Sequence, residues 1–166
     1  MGNSYTATEA ARITGIAKRT ILFYSDGRTG PVQPDIDPGN GRGATRWFSR
    51  RNLFEFVLCR ELVTAGVRFD KLSGIVKTMR DDPLNQEIPE RVVWYLAVFD
   101  ANTEHPYLRI IHPMNIEEQI KLPQRIRKHQ GADDGHGIPK GHYYQDEFFT
   151  SVVLINCAKV WGQITE

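Results

Sequence analysis

Residues Thr8 to Tyr24 read TEAARITGIAKRTILFY, two short helical segments joined at a glycine, with cations on the second. Thr6 and Glu9 stand three apart, the spacing of a capping box in which a hydroxyl accepts from a first-turn amide and the carboxylate reaches back. The first helix is therefore expected to start near Ala7, with Ala10, Ala11 and Ile13 as its buried stripe. Gly15 supplies the permissive backbone that ends a helix and turns into the next. A second helix from about Ala17 to Tyr24 would turn Ile21 toward the first and leave Lys18, Arg19 and Thr20 outward near its start. This is a helix-turn-helix pattern, and those outward positions are where a major groove is met.

The stretch resembles the DNA-binding domain of the MerR family of bacterial transcription regulators, and the likeness extends from Tyr5 to about Arg80. The family opens with a tyrosine-like residue and a threonine, carries paired alanines before a glycine turn, and closes its second helix with a run like Arg19-Thr20-Ile21-Leu22-Phe23-Tyr24. A wing then leads through an Arg-x-aromatic-Ser segment, here Arg46-Trp47-Phe48-Ser49, into a third helix that breaks at a glycine, here Ala65-Gly66-Val67. Two positions depart from the pattern. Leu22 stands where the family commonly has arginine, and Gly30-Pro31-Val32 replaces Gly-Leu-Leu ahead of a long wing from Asp35 to Thr45. The resemblance implies phosphate contact by the Tyr24 hydroxyl and by Arg46, each with a plainer rival: a half-buried ring, and an ion pair within the loop.

Charge supports the same half of the chain. The formal net charge of +1 excludes nothing, but residues 1–82 hold 13 Lys and Arg against nine Asp and Glu, whereas the rest holds eight against 11. The cations gather at Lys18, Arg19, Arg28, Arg42, Arg46, Arg50 and Arg51, where phosphate contacts are wanted. Lys18, Arg19, Thr20, Tyr24, Arg42, Arg46 and Arg50 are thus the expected DNA-binding residues. Two cysteines without metal spacing, Cys59 and Cys157, and the lack of a signal-like or membrane-spanning run point to a reducing, cytoplasmic setting.

Beyond the wing, Ser49 is placed to cap a third helix that is apolar on more than one face, and a fourth runs from about Asp70 to the Asp81-Asp82-Pro83 stop. Residues 83–90 read as a linker. Arg91 to Phe99 and Tyr107 to Ile111 are β-branched and aromatic, a hairpin with a longish loop, and Asn115 is placed to cap a short helix over 116–122. The run from Phe148 to Ile164 reads either as a strand to about Ile155 followed by an Asn156-capped helix, the preferred reading, or as one continuous helix.

Chemistry of other kinds is poorly supported. His105, His112, His129, His136 and His142 with Asp133 and Asp134 invite a metal, yet no pair falls at a spacing that puts two ligands on one helical face. No nucleophile elbow, phosphate-cradling glycine loop or ordered carboxylate pair marks an enzyme. Trp94, Tyr95, Tyr107, Tyr143, Tyr144, Phe148 and Phe149 suit a small-molecule pocket or simply a core.

The expectation is a mainly α winged helix-turn-helix at 1–82 and a small α/β domain with a short antiparallel sheet at 91–166, for dimerisation or effector binding. Its partners would be double-stranded DNA, a second copy of the chain and RNA polymerase, with no cofactor, no metal and no membrane. The resemblance implies a dimeric regulator acting on promoter palindromes. Its rivals are an architectural head of the kind found on phage excision and packaging proteins, and a DNA-tethered module that binds a metal or small molecule. Pro83 and Pro89 interrupt the long dimer helix of the family, which leaves Val92 to Phe99, Tyr107 to Ile111, Val160, Trp161 and Ile164 as the apolar surface for pairing.

Overall fold

The computed structural model describes residues 4–36, 45–81, 95–102, 107–111 and 152–164. Arg42 with most of the wing, the 83–90 linker, the five histidines, the 116–122 segment and the aromatics Trp94, Tyr143, Tyr144, Phe148 and Phe149 lie outside them.

The elements follow the local signals closely. Strand β1 (Tyr5–Thr6) runs straight into α1 (Ala7–Thr14), whose capping box is complete: the Glu9 amide donates to Thr6 Oγ1 at 3.3 Å, and the Thr6 amide donates to Glu9 Oε2 at 2.8 Å. Gly15 ends the helix at φ 67°, a left-handed conformation that costs glycine little. Ile16 fills the corner, and α2 (Lys18–Tyr24) follows with Ile21 fully buried. After the wing, β2 (Trp47–Phe48) pairs antiparallel with β1, so the chain's start and the wing's return form one short ribbon.

Helix α3 (Arg50–Thr64) starts at Ser49, whose hydroxyl accepts from the Asn52 amide. It is buried from Asn52 to Cys59, far more than one face. The reason is that it forms a wall with neighbours on several sides. Phe56 meets Phe48 of β2 edge-on with centroids 5.1 Å apart, Glu55 faces Arg80 at the end of α4 (Phe69–Asp81), and Phe54 faces the C-terminal helix. Gly66, at φ 90°, makes the break between α3 and α4.

In the C-terminal half, β3 (Tyr95–Phe99) lies between β4 (Tyr107–Ile111) and β5 (Val152–Asn156) in an antiparallel sheet. Leu96, Val98, Leu108 and Ile155 join the same hydrophobic core as the head. The final segment takes the strand-then-helix form: Asn156 accepts from the Lys159 amide at 3.0 Å and opens α5 (Cys157–Gly162). Val160, Trp161 and Ile164, read from the sequence as a surface for pairing, pack instead into the chain's own core, with Trp161 partly covered at its edge. Their apolar character is used by α3.

Polar ties reinforce the contact between the two halves. Arg60 donates to the Thr14 carbonyl at 3.1 Å and to the side-chain oxygen of Gln163, joining the end of α1 to the end of α5. Asn102, beyond β3, accepts from the Arg68 amide at 2.8 Å and donates to the Gly66 carbonyl at 3.2 Å, so it clamps the α3–α4 break. No helix among the described residues is long and apolar enough to cross a membrane.

Candidate nucleic-acid interface

Helix α2 divides cleanly by its 100° step. Ile21 and Tyr24 face the core, and Lys18, Arg19, Leu22 and Phe23 are exposed on the other side. Lys18 and Arg19 are therefore where the sequence puts them, on an open face with no acidic residue of α2 beside them. Thr20 is half-buried at the edge of that face. Tyr24 is 7% exposed, with its ring 5.9 Å from that of Phe69, and burial holds its hydroxyl above the usual phenol range. The ring of Tyr24 thus packs in the core.

Among the other described cations, Arg46, Arg50 and Arg51 are engaged within the protein. Arg46 donates to the Leu22 carbonyl at 3.2 Å and to Ser25 Oγ at 3.3 Å. A positive group at the C-terminal carbonyls of a helix is favourable both as a cap and against the helix dipole. Arg46 therefore supports the C-terminal end of the exposed helix, and its charge also helps hold the Asp26 carboxyl down. Arg50, in the first turn of α3, sets its guanidinium 5.9 Å from the centroid of Trp161, so its position depends on α5. Arg51 turns toward Glu55, with Nε 3.4 Å from Oε1. Arg28 is exposed in the turn after α2.

That turn is built by Asp26, whose Oδ1 accepts from the amides of Arg28 at 3.0 Å and Thr29 at 3.2 Å. The chain then folds back: the Gly30 amide donates to the Asp26 carbonyl at 2.7 Å and the Val32 amide to the Tyr24 carbonyl at 3.0 Å. A side chain at Gly30 would put its Cβ 2.4 Å from the Tyr24 carbonyl oxygen, so the turn requires glycine for space. The exit from α2 is fixed by these contacts, not by its own helical propensity.

A polar cluster around Glu55 and Arg80 was not foreseen from the sequence. Glu55 is fully buried and accepts from Arg80 through both carboxylate oxygens and from Asn52 Nδ2 at 3.0 Å. Arg80 Nη1 lies 3.1 Å from Asp35 Oδ1, and Asp35 accepts from Ser49 Oγ at 2.7 Å. Asn52 also donates to the Gln33 carbonyl at 2.9 Å and accepts from the Asp35 amide at 2.9 Å. Burial pushes the Glu55 carboxyl up, and the hydrogen bond and charge of Arg80 pull against it. The cluster holds the described beginning of the wing, Gln33 to Asp35, onto α3 and α4. No spacing rule in one dimension would have found it, because its members are up to 47 residues apart.

The described residues include no group of histidine, cysteine and carboxylate ligands suited to a metal. Both cysteines are buried, and burial raises both thiols, Cys157 to about 11. They are poor nucleophiles in the folded chain.

A comparison with curated proteins finds no match. A family model does match: residues 5–79 fit that of the MerR HTH family regulatory protein. The matched span begins at the first residue of β1 and ends within α4, so it takes in the ribbon, the two-helix turn and the buried wall behind them. The N-terminal part of the chain is accordingly similar to a MerR-type helix-turn-helix domain over residues 5–79.

Proposed function

We propose that the protein is a sequence-specific regulator that binds palindromic promoter DNA as a dimer, with α2 as the recognition helix. The observation that carries this is the open face of α2, where Lys18 and Arg19 stand exposed opposite the buried Ile21 and Tyr24. Arg19 is the candidate for a base edge and Lys18 for a phosphate, with Thr20, Tyr24, Arg42, Arg46 and Arg50 as the further proposed contacts. Arg46 contributes first by holding the C-terminal end of α2.

One helix-turn-helix covers one half-site, so a useful affinity difference between sites needs two copies about one DNA turn apart. Residues 91–166 are the proposed pairing region. Within it, Val160, Trp161 and Ile164 serve the core, whereas β5 is an edge of the described sheet and exposes Val152 and Leu154. The pairing surface is accordingly assigned to β5.

The test is binding of the full chain to duplexes selected from a random pool, titrated with salt. Affinity should fall steeply as salt rises, because cations at phosphates release condensed counterions. Arg19→Ala should relax sequence preference by about 1–3 kcal/mol at the base it reads. Sedimentation of the full chain with and without Val152→Asp tests the pairing surface. Absence of DNA binding at low ionic strength would end the regulatory reading.

A further inference from the structure

The outward face of α2 is only half cationic. Going round the helix, Lys18, Leu22, Arg19 and Phe23 follow one another across the exposed arc, since residues three and four apart are neighbours on a helix surface. Leu22 is 40% exposed and Phe23 is 52% exposed, two of the most open large apolar side chains among the described residues. A leucine between two cations on an open face gains nothing from folding.

Nor is its position loose. The Leu22 carbonyl is held by Arg46, Ser25 Oγ lies within 3.4 Å of the same oxygen, and the neighbouring Phe23 stacks on Phe69 of α4 with centroids 4.7 Å apart. The backbone that carries Leu22 is thus pinned at the end of the helix, which sets where its side chain leaves the surface. The charge of the same face, with Lys18 and Arg19 and no acidic residue of α2, fits a polyanion.

A major groove offers polar edges at every base pair and one apolar group, the C5-methyl of thymine. We propose that Leu22 reads a thymine methyl next to the base met by Arg19, with Phe23 closing that contact against water. This rests on α2 being the recognition helix, and it names the base pair that helix selects.

The experiment uses the full chain and the best duplex from a random pool, in which each thymine is replaced in turn by deoxyuridine. That change removes a methyl group and leaves base pairing intact. One thymine per half-site should show binding about fourfold weaker on replacement, the effect of one buried methyl-sized group. Leu22→Ala should bind the thymine and uracil forms of that position alike. Selected sites with no fixed thymine, equal affinity of the unmodified protein for every substituted probe, or a Leu22→Ala variant that still separates thymine from uracil each overturn the inference while leaving DNA binding intact. A full chain that binds no duplex at low salt overturns the regulatory reading, and this inference with it.

Discussion

The ring of Trp161 lies on that of Phe54, with centroids 4.7 Å apart and planes tilted by 32°. One residue belongs to α5 and the other to α3, the central helix of the N-terminal head. The contact joins the halves through core atoms, so they should lose structure together. Phe54→Ala removes one side of it from a fully packed site, which costs about 3–5 kcal/mol. Denaturant unfolding followed by tryptophan fluorescence and by far-ultraviolet circular dichroism should give coincident curves for both proteins, with the midpoint moved down in the variant. Two separated transitions in the unmodified protein would contradict the shared core.

Gly30 is needed for space. Its added Cβ would lie 2.4 Å from the Tyr24 carbonyl oxygen and 2.5 Å from the Asp26 amide nitrogen, both backbone atoms that yield only if the turn moves. Gly30→Ala should destabilise by about 1–3 kcal/mol, as overpacking does, and should disturb α2 through its exit turn. Gly27→Ala has open space and serves as the control. Equal melting temperatures for the two variants would show that the turn is free to adjust.

Glu55 and Arg51 form an ion pair of unequal partners, since the carboxylate is fully buried and the guanidinium side chain is 40% exposed. Removal of Arg51 leaves Glu55 with Arg80 and Asn52, and Arg51→Ala should cost less than about 1 kcal/mol. Removal of Glu55 takes two hydrogen bonds from Arg80, which keeps Asp35 and the Gln33 carbonyl, and one from Asn52, and Glu55→Ala should cost about 1–3 kcal/mol. Chemical denaturation of both variants decides the matter; a larger loss for Arg51→Ala would place the weight of the cluster elsewhere.

Two exposed carboxylates make local contributions that depend on pH. The Thr6 amide and hydroxyl hold Glu9 below its ordinary 4.5, and the amides of Arg28 and Thr29 hold Asp26 below its ordinary 3.8. A folded value below the unfolded one means the charged form is favoured by folding. This stabilisation is present above the unfolded value and is lost as pH falls through the folded one. Glu55, raised by burial, works in the opposite sense, so a site-resolved carbon NMR titration separates them. Midpoints for Glu9 and Asp26 at or above their ordinary values would remove both contributions.

Local chemistry explains how far the fold could be read in advance. The capping residues Thr6, Ser49 and Asn156, and the glycine turn at Gly15, act within a few residues of themselves, so their consequences are written in short stretches of sequence. The change from β-branched to helical spacing at Asn156 was legible for the same reason. The ribbon between Tyr5–Thr6 and Trp47–Phe48 was not, because two-residue strands carry no period. At the candidate interface the exposure of Lys18 and Arg19 followed from helical geometry alone. The partners of Arg46, Arg50 and Glu55 did not, since a long side chain reaches whatever the tertiary fold brings within range.

The central helix also bears on how such a protein changes over generations. Phe54 and Arg60 serve α5, Asn52 and Glu55 serve the wing base and α4, and Phe56 serves β2. A head with this wall cannot be traded between proteins as a free cassette, because a new companion inherits an oily face shaped for Trp161. Recombination at the junction near residue 82 would succeed only with a partner that refills that face, or with Phe54 and its neighbours rewritten as surface. Lineages of such chains should therefore exchange the head and the closing helix together.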